Sequence, residues 1–390
     1  MSDFDTPREI LDKLVSFPTV SRNSNLDLVD WVEDWLDQRG VSATRVYSAD
    51  GRKAALYAHV GPMDPGAVVL SGHTDVVPVD GQDWTSDPFT VTERNGLLFG
   101  RGTVDMKGFD ALALWAMGEA AKLELRRPLQ IALSYDEEIG CLGAPVMIDH
   151  MLASGMPKGD LVIVGEPSSM ACVTGHKGGF GYDVQIQGFE VHSSIMHTGV
   201  SAVMEAGRLI EWANQENETL MAGPHSPMAD MFDPPWTTVH VGTIEGGTAQ
   251  NITAADCRMG LGFRLVPDET TDHWQDRLTA QIEAQERRMK AVAPSSGIAL
   301  HQTYSVPPLK PETDGAAESL VRNITGDNAS HVVSYGTEAG QFQERGFSAV
   351  VCGPGDIAQA HQPDEYISVE QFLSGQRFME ELVRKLSYQQ

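Results

Sequence analysis

The apolar positions of the chain follow two rhythms that alternate along it. Ile10, Leu11, Leu14 and Val15, then Leu28, Val29, Val32 and Leu36, recur at helical spacing, which predicts a helical stretch over residues 7–40. Ala67-Val68-Val69-Leu70 is a short unbroken apolar run ending in Ser71-Gly72-His73-Thr74-Asp75, the pattern of a buried strand that leaves its sheet at a polar tip. The helical rhythm returns from Met106 to Lys122, and buried strands follow at 129–133 and 161–164. Strands alternating with helices predict a largely parallel sheet covered on both faces.

The middle of the chain reads differently. A strand at 180–188, a helix at 200–216, strands at 237–244 and 254–265, a helix at 269–291 and a strand at 297–304 give a βαββαβ order, the ferredoxin-like pattern. After Pro307-Pro308 the α/β signature resumes. Ala349-Val350-Val351-Cys352 reads as a buried strand ending in Gly353-Pro354-Gly355, and a helix at 369–387 closes the sequence. The expected architecture is one α/β domain over 1–176 and 305–390, interrupted by an inserted α+β domain over 177–304.

Composition narrows the function classes. Hydrophobic residues at 41% and charged residues at 21% suit a chain that buries real cores. No apolar run approaches the roughly 18 residues needed to span a bilayer. The acidic start Met1-Ser2-Asp3-Phe4-Asp5 lacks the basic and apolar stretches of a signal peptide, so a cytoplasmic location without membrane attachment is expected. Cys141, Cys172, Cys257 and Cys352 form no C-x-x-C pair and read as reduced, packed thiols. A formal charge of −26 repels phosphate backbones, which argues against nucleic-acid binding.

The residues that carry chemistry sit just past strand ends, where open α/β sheets place their ligands. In Gly72-His73-Thr74-Asp75, residues two apart share a face if the segment is extended. Asp75 can then accept from one ring nitrogen of His73 while the other binds a metal. The plain alternative is a strand-end histidine and a turn aspartate. Asp105, in Gly100-Arg101-Gly102-Thr103-Val104-Asp105-Met106-Lys107-Gly108, stands at the start of a helix and in isolation reads as a cap.

Asp136-Glu137-Glu138 places three carboxylates at one strand end, either a solvated acidic loop or a set that cations compensate. In an extended segment Glu137 and Glu138 face opposite ways, so one can bind metal while the other handles protons. Gly165-Glu166-Pro167 repeats the theme, and His361 follows the last strand. Together, two histidines and several carboxylates at one sheet edge suit zinc, and a bridging carboxylate lets such a set hold two ions. No G-x-S-x-G elbow, P-loop, H-E-x-x-H or strand-following G-x-G-x-x-G competes.

These motifs resemble the two-zinc aminoacylase and deacetylase family of metallopeptidases from about residue 7 to the C-terminus. The resemblance rests on Ser71 to Pro78, Trp84 to Phe89, Gly102 to Gly108, Asp136-Glu137-Glu138, Ile163 to Ser168 and His176-Lys177-Gly178. Thr337-Glu338-Ala339 and the stretch from Gly353 to Tyr366 point to the deacetylase branch.

The resemblance implies a zinc-dependent exopeptidase-like catalytic domain with an inserted lid and dimerisation domain. It implies two Zn2+ per subunit, replaceable by Co2+, a small N-acyl amino acid as substrate, and a homodimer through the inserted domain. His73 and Glu166 would hold one zinc, Glu138 and His361 the other, and Asp105 would bridge them. Glu137 would be the general base, Asp75 would orient His73, and His192 would stabilise the oxyanion. Asn251, Arg264 and Gly353 would contact substrate, and Glu338 would meet a substrate ammonium. Ile195, Met196, Ser201 and Gly262 depart from the family pattern, all in the inserted domain. Rival readings are another deacylase or a dipeptidase of the same family, or a non-catalytic metal-binding dimer module. Glu137 argues against the last, since a structural zinc site needs no free base beside its ligands.

Overall fold

The computed structural model describes residues 5–388; the opening Met1-Ser2-Asp3-Phe4 lies outside the described residues. Along the chain come β1 (Ala43–Tyr47), β2 (Ala54–Val60), β3 (Ala67–His73), β4 (Thr92–Arg94), β5 (Leu97–Phe99), β6 (Leu129–Ser134), β7 (Gly159–Pro167) and β8 (Val173–His176). Then follow β9 (Gly178–Gln187), β10 (Thr238–Gly246), β11 (Asp256–Leu265) and β12 (Gly297–Val306). The last are β13 (His331–Val333), β14 (Ser348–Gly353) and β15 (Tyr366–Ser368).

The eight-stranded sheet runs β1-β2-β6-β3-β7-β14-β8-β13. Its centre, β6, β3, β7 and β14, is parallel, and β1, β2 and β8 attach antiparallel. Buried central strands have no solvent face, which is why β3, β6 and β7 read as apolar runs with no alternation. On one face Val68, Leu70, Ile131, Ile163 and Val350 join the core beneath helices that include Lys107–Ala120 and Val369–Leu386. Helices Gly143–Ala153 and Ala339–Glu344 also pack on this sheet. A Cβ on Gly165 would lie 1.9 Å from Phe109 Cγ, so only glycine lets helix Lys107–Ala120 settle this close to β7.

The helical stretch expected over 7–40 is two helices, Pro7–Val15 and Leu26–Asp37. The first starts at a capping box, with Thr6 and Glu9 satisfying each other's backbone N–H. It stops because Pro18 disfavours helical backbone at Phe17. β3 extends three residues beyond the apolar run, so His73 is the last residue of a buried strand.

Chain contacts divide the molecule into two units. The first holds the chain up to Gly175, Pro311–His331 and the chain from Thr337 onward; the second holds His176–Lys310 and Val332–Gly336. The short segment Val332–Gly336 departs from the expected boundaries. In the second unit the sheet order is β10-β11-β9-β12, antiparallel throughout, the ferredoxin-like arrangement. β11 shows its logic: Cys257, Met259, Leu261, Phe263 and Leu265 point into the core that helices Ala202–Ala222 and Thr271–Val292 share. The alternate residues, Arg258, Gly260, Gly262 and Arg264, line the opposite face.

Candidate metal centre

The C-terminal ends of β3, β6 and β7 bring the acids and His73 of the first unit together. His73 Nε2 lies 3.1 Å from Asp105 Oδ1 and 3.6 Å from Glu166 Oε1. Asp105 turns its other oxygen to His361, with Oδ2 at 3.1 Å from Nε2, and Glu138 Oε2 stands 3.1 Å from the same nitrogen. The five side chains fall into two sets that share Asp105. Close triads of ligand atoms are His73, Asp105 and Glu138, and His73, Glu137 and Glu166.

Burial pushes Glu138 up to about 8, with Asp105 adding repulsion. Glu166 is driven well above the usual carboxylate range by burial and by Asp105 and Glu137. Burial would depress His73, yet hydrogen bonds to Asp105 and Asp75 hold it well above the usual histidine range. His361 rises to about 10 on its bonds to Asp105 and Glu138. Buried like charges of this density hold protons unless cations replace them. Glu138 Oε1 and Glu166 Oε1 are buried without a hydrogen-bond partner, as acceptors that a bound cation would satisfy. The all nitrogen and oxygen donor set fits a first-row divalent ion.

Asp75 works differently from the sequence expectation. His73 Nδ1 is 2.9 Å from the backbone carbonyl of Asp75, whereas the carboxylate stays at 3.6 Å. That carboxylate accepts from Ser21 Oγ at 2.7 Å and from the N–H groups of Glu137 and Glu138 at 3.1 and 3.3 Å. One residue therefore ties the His73 ring to the backbone of the acidic loop. The loop itself is a turn, not an extended segment: Asp136 is left-handed at φ +59°, and Gly140 and Cys141 both donate to the Glu137 carbonyl. Glu137 still faces the cluster, with Oε2 at 4.0 Å from His73 Nε2.

Two of the expected substrate contacts are buried. Glu338 is 1% exposed, and its carboxyl accepts from Ser134 and, at 3.4 Å, from Ser71. Burial, with repulsion from Glu137, raises it to about 8. Gly353 is buried, its N–H bonded to Ser168 Oγ and its carbonyl to the N–H groups of Ser168 and Met170. A Cβ there would stand 2.0 Å from the Gly165 carbonyl, so its glycine serves the close approach of β14 to β7 beside Glu166.

The second unit holds the other three. His192 is exposed, caps the short helix Ser193–Thr198, and bonds Ser194 Oγ through Nδ1 at 2.8 Å. Asn251 lies beside it, its carbonyl accepting from Ser193 N at 2.8 Å. Arg264 is exposed near the far end of β11 and lines a cavity of about 600 Å³ with Trp236, His240 and Tyr304.

The sequence reading missed a clamp. Glu365, 1% exposed, accepts from Arg101 Nη1 at 2.6 Å and from the N–H groups of Gly102, Val104 and Asp105. Arg101 reaches on to Gln82 Oε1, and Gln82 Nε2 donates to the His361 carbonyl at 3.0 Å. The loops carrying Asp105 and His361 are thus held to one buried ion pair. A signal was present: Glu365 lies within a motif quoted for the resemblance, and Arg101 directly precedes another.

The parallel sheet, the convergent histidines and acids, and the carboxylate of Glu137 beside them define a metal-dependent hydrolase. A model of peptidase family M20/M25/M40 matches residues 69–385, and the chain belongs to that family. It is similar to an acetylornithine deacetylase of Myxococcus xanthus, 34% identical over 368 residues that cover 93% of each chain. In structure it resembles an M20 family metallo-carboxypeptidase from Sulfolobus solfataricus, with TM-score 0.78, 18% identity and 99% of both chains covered. It also resembles a dinuclear metal-binding M20 peptidase from Bacillus subtilis, with TM-score 0.61, 14% identity and 97% of both chains covered. At these identities the two structures speak for the fold alone.

Proposed function

We propose that the protein removes the acetyl group from N2-acetyl-L-ornithine, giving L-ornithine and acetate in arginine biosynthesis. The observation that carries this reading is the placement of Glu137. It faces the ligand cluster with Oε2 4.0 Å from His73 Nε2, farther than the 3.1–3.6 Å at which Asp105 and Glu166 meet that nitrogen, which suits a proton carrier. The substrate follows from the 34% identity to an acetylornithine deacetylase over 93% of both chains.

His73 and Glu166 would hold one zinc ion, Glu138 and His361 a second, and Asp105 would bridge them, with cobalt able to substitute. Such ions, when bound, supply Lewis-acid activation of water and of the amide carbonyl. Glu137 takes a proton from water as its oxygen bonds to the acetyl carbon. It then delivers that proton to the nitrogen as the C–N bond breaks. His192 stabilises the charge that builds on the carbonyl oxygen, and Asn251 and Arg264 hold the carboxylate end.

A homodimer through the second unit accompanies this reading. β10 is an edge strand whose outer residues are exposed, and Ile195, Met196, Val203, Met204 and Ile244 stand exposed in the same unit. Four buried free cysteines suit a reducing cytoplasm. No helix of the described residues is long and apolar enough to cross a membrane.

The test is ornithine release from N2-acetyl-L-ornithine by purified protein, with zinc and after chelation. Release that stops on chelation and returns with zinc is the expected result. A folded, zinc-loaded protein that releases nothing would overturn the substrate. Turnover of N-succinyl-diaminopimelate or of a dipeptide by the same sample would replace it.

A further inference from the structure

Of the four cysteines, all buried and unpaired, Cys141 lies against a reacting group. Its Sγ is 3.1 Å from Glu137 Oε1, and a carboxylate oxygen accepts, so the thiol donates. The cysteine is fixed from both sides. Its N–H donates to the Glu137 carbonyl at 2.8 Å, and its own carbonyl accepts from Gln341 Nε2 at 2.9 Å. The turn brings residue 141 back over residue 137, leaving the side chain 3% exposed.

The backbone adds an independent observation. Cys141 is left-handed, at φ +54°, a conformation that glycine adopts without cost and that other residues hold only against a penalty of about 1 kcal/mol. Glycines stand close by at 140 and 143, yet this position keeps a side chain, and that side chain points at Glu137. With Oε1 engaged by the thiol, the free Oε2 lies 4.0 Å from His73 Nε2, on the side of the ligands.

We propose that Cys141 is a positioning residue, whose S–H holds one oxygen of Glu137 and so turns the other toward the attacking water. This rests on Glu137 being the general base. Proton transfer by a carboxylate requires its basic oxygen in line with the water, and an unrestrained glutamate has three torsions to lose before that is met.

The experiment compares Cys141→Ala and Cys141→Ser with the parent enzyme in kcat, KM and zinc content. It adds the infrared S–H stretch of Cys141, isolated as the parent-minus-C141A difference spectrum of the zinc-loaded protein. C141A is expected to lower kcat about tenfold, the order of a hydrogen bond to a charged group, with KM and zinc content unchanged. C141S, which restores a donor, should recover most of it. The S–H band should sit at a hydrogen-bonded frequency and move to the free-thiol position in Glu137→Ala. An unchanged kcat in zinc-loaded C141A overturns the proposal, as does a band indifferent to E137A, or zinc loss in both cysteine variants. If the band moves in E137A while Glu137→Gln keeps full turnover, the contact stands and the general-base reading is what fails.

Discussion

In the first unit His73, Asp105 and Glu166 are at most 5% exposed, and His73 and Asp105 are held by further buried bonds, from the Asp75 carbonyl and from the Arg101–Glu365 pair. In the second, His192, Asn251 and Arg264 stand exposed. The contrast is one of preorganisation. Desolvated carboxylates are destabilising until a cation arrives, so the metal centre ties hydrolytic competence to the stability of its own unit. Exposed polar side chains cost the fold little, and what they contribute is realised on contact with substrate.

Four measurements press on that contrast. The largest effect is expected from Glu137→Gln, with turnover falling about a thousandfold or more while zinc content holds, as removal of a general base does. Zinc lost along with activity would make Glu137 a ligand and redraw the first unit's site. Second, zinc at a thousand times its dissociation constant should add about 4 kcal/mol to unfolding of the first unit. Calorimetry checks this, and a shift confined to the second unit's transition would invert the comparison.

Third, His192→Ala should lower kcat about a hundredfold, the scale of a lost oxyanion donor, with no change in melting temperature. A drop of several degrees would show that His192 braces its unit. The smallest effect concerns Asp110, which burial raises from 3.8 to about 8 in the metal-free protein, and whose Oδ1 has no partner. The folded chain keeps this proton where the unfolded chain has released it, so stability falls as pH rises from about 4 through 8. Asp110→Asn should flatten that slope in urea titrations across the window, and an unaltered slope would place the proton elsewhere.

The first unit was the more legible of the two in chemistry because its residues sit at strand ends. His73, Glu137, Glu138 and Glu166 follow apolar runs that only a buried parallel sheet explains, and geometry then makes them neighbours. What escaped were residues whose role lies in a partner distant in sequence. Glu365 meets Arg101 across 264 positions, and no local rhythm marks either. Glu338 carries no sequence sign of the burial that sets it against Ser71 and Ser134. Gly353 was expected at the substrate, and only the fold shows that its glycine also allows the close approach of β14 to β7. β1 escaped because a five-residue antiparallel strand with one buried position lacks a sustained period. In the second unit the converse holds: alternation in β9 to β12 announces the sheet, while nothing in an exposed histidine announces catalysis.

The order of strands in the large sheet also sets a schedule for biosynthesis. β14 pairs with β7 in the middle of the sheet, yet the ribosome makes its first residue 181 positions after β7 ends at Pro167. At about 5–20 residues per second, β7 waits roughly 10 to 35 s with one backbone edge unpaired while the whole ferredoxin-like unit is translated. Glu166 lies on that waiting strand and His361 emerges later still. A nascent chain therefore cannot complete its ligand set early, and an exposed apolar β-edge is its principal aggregation hazard until β14 arrives.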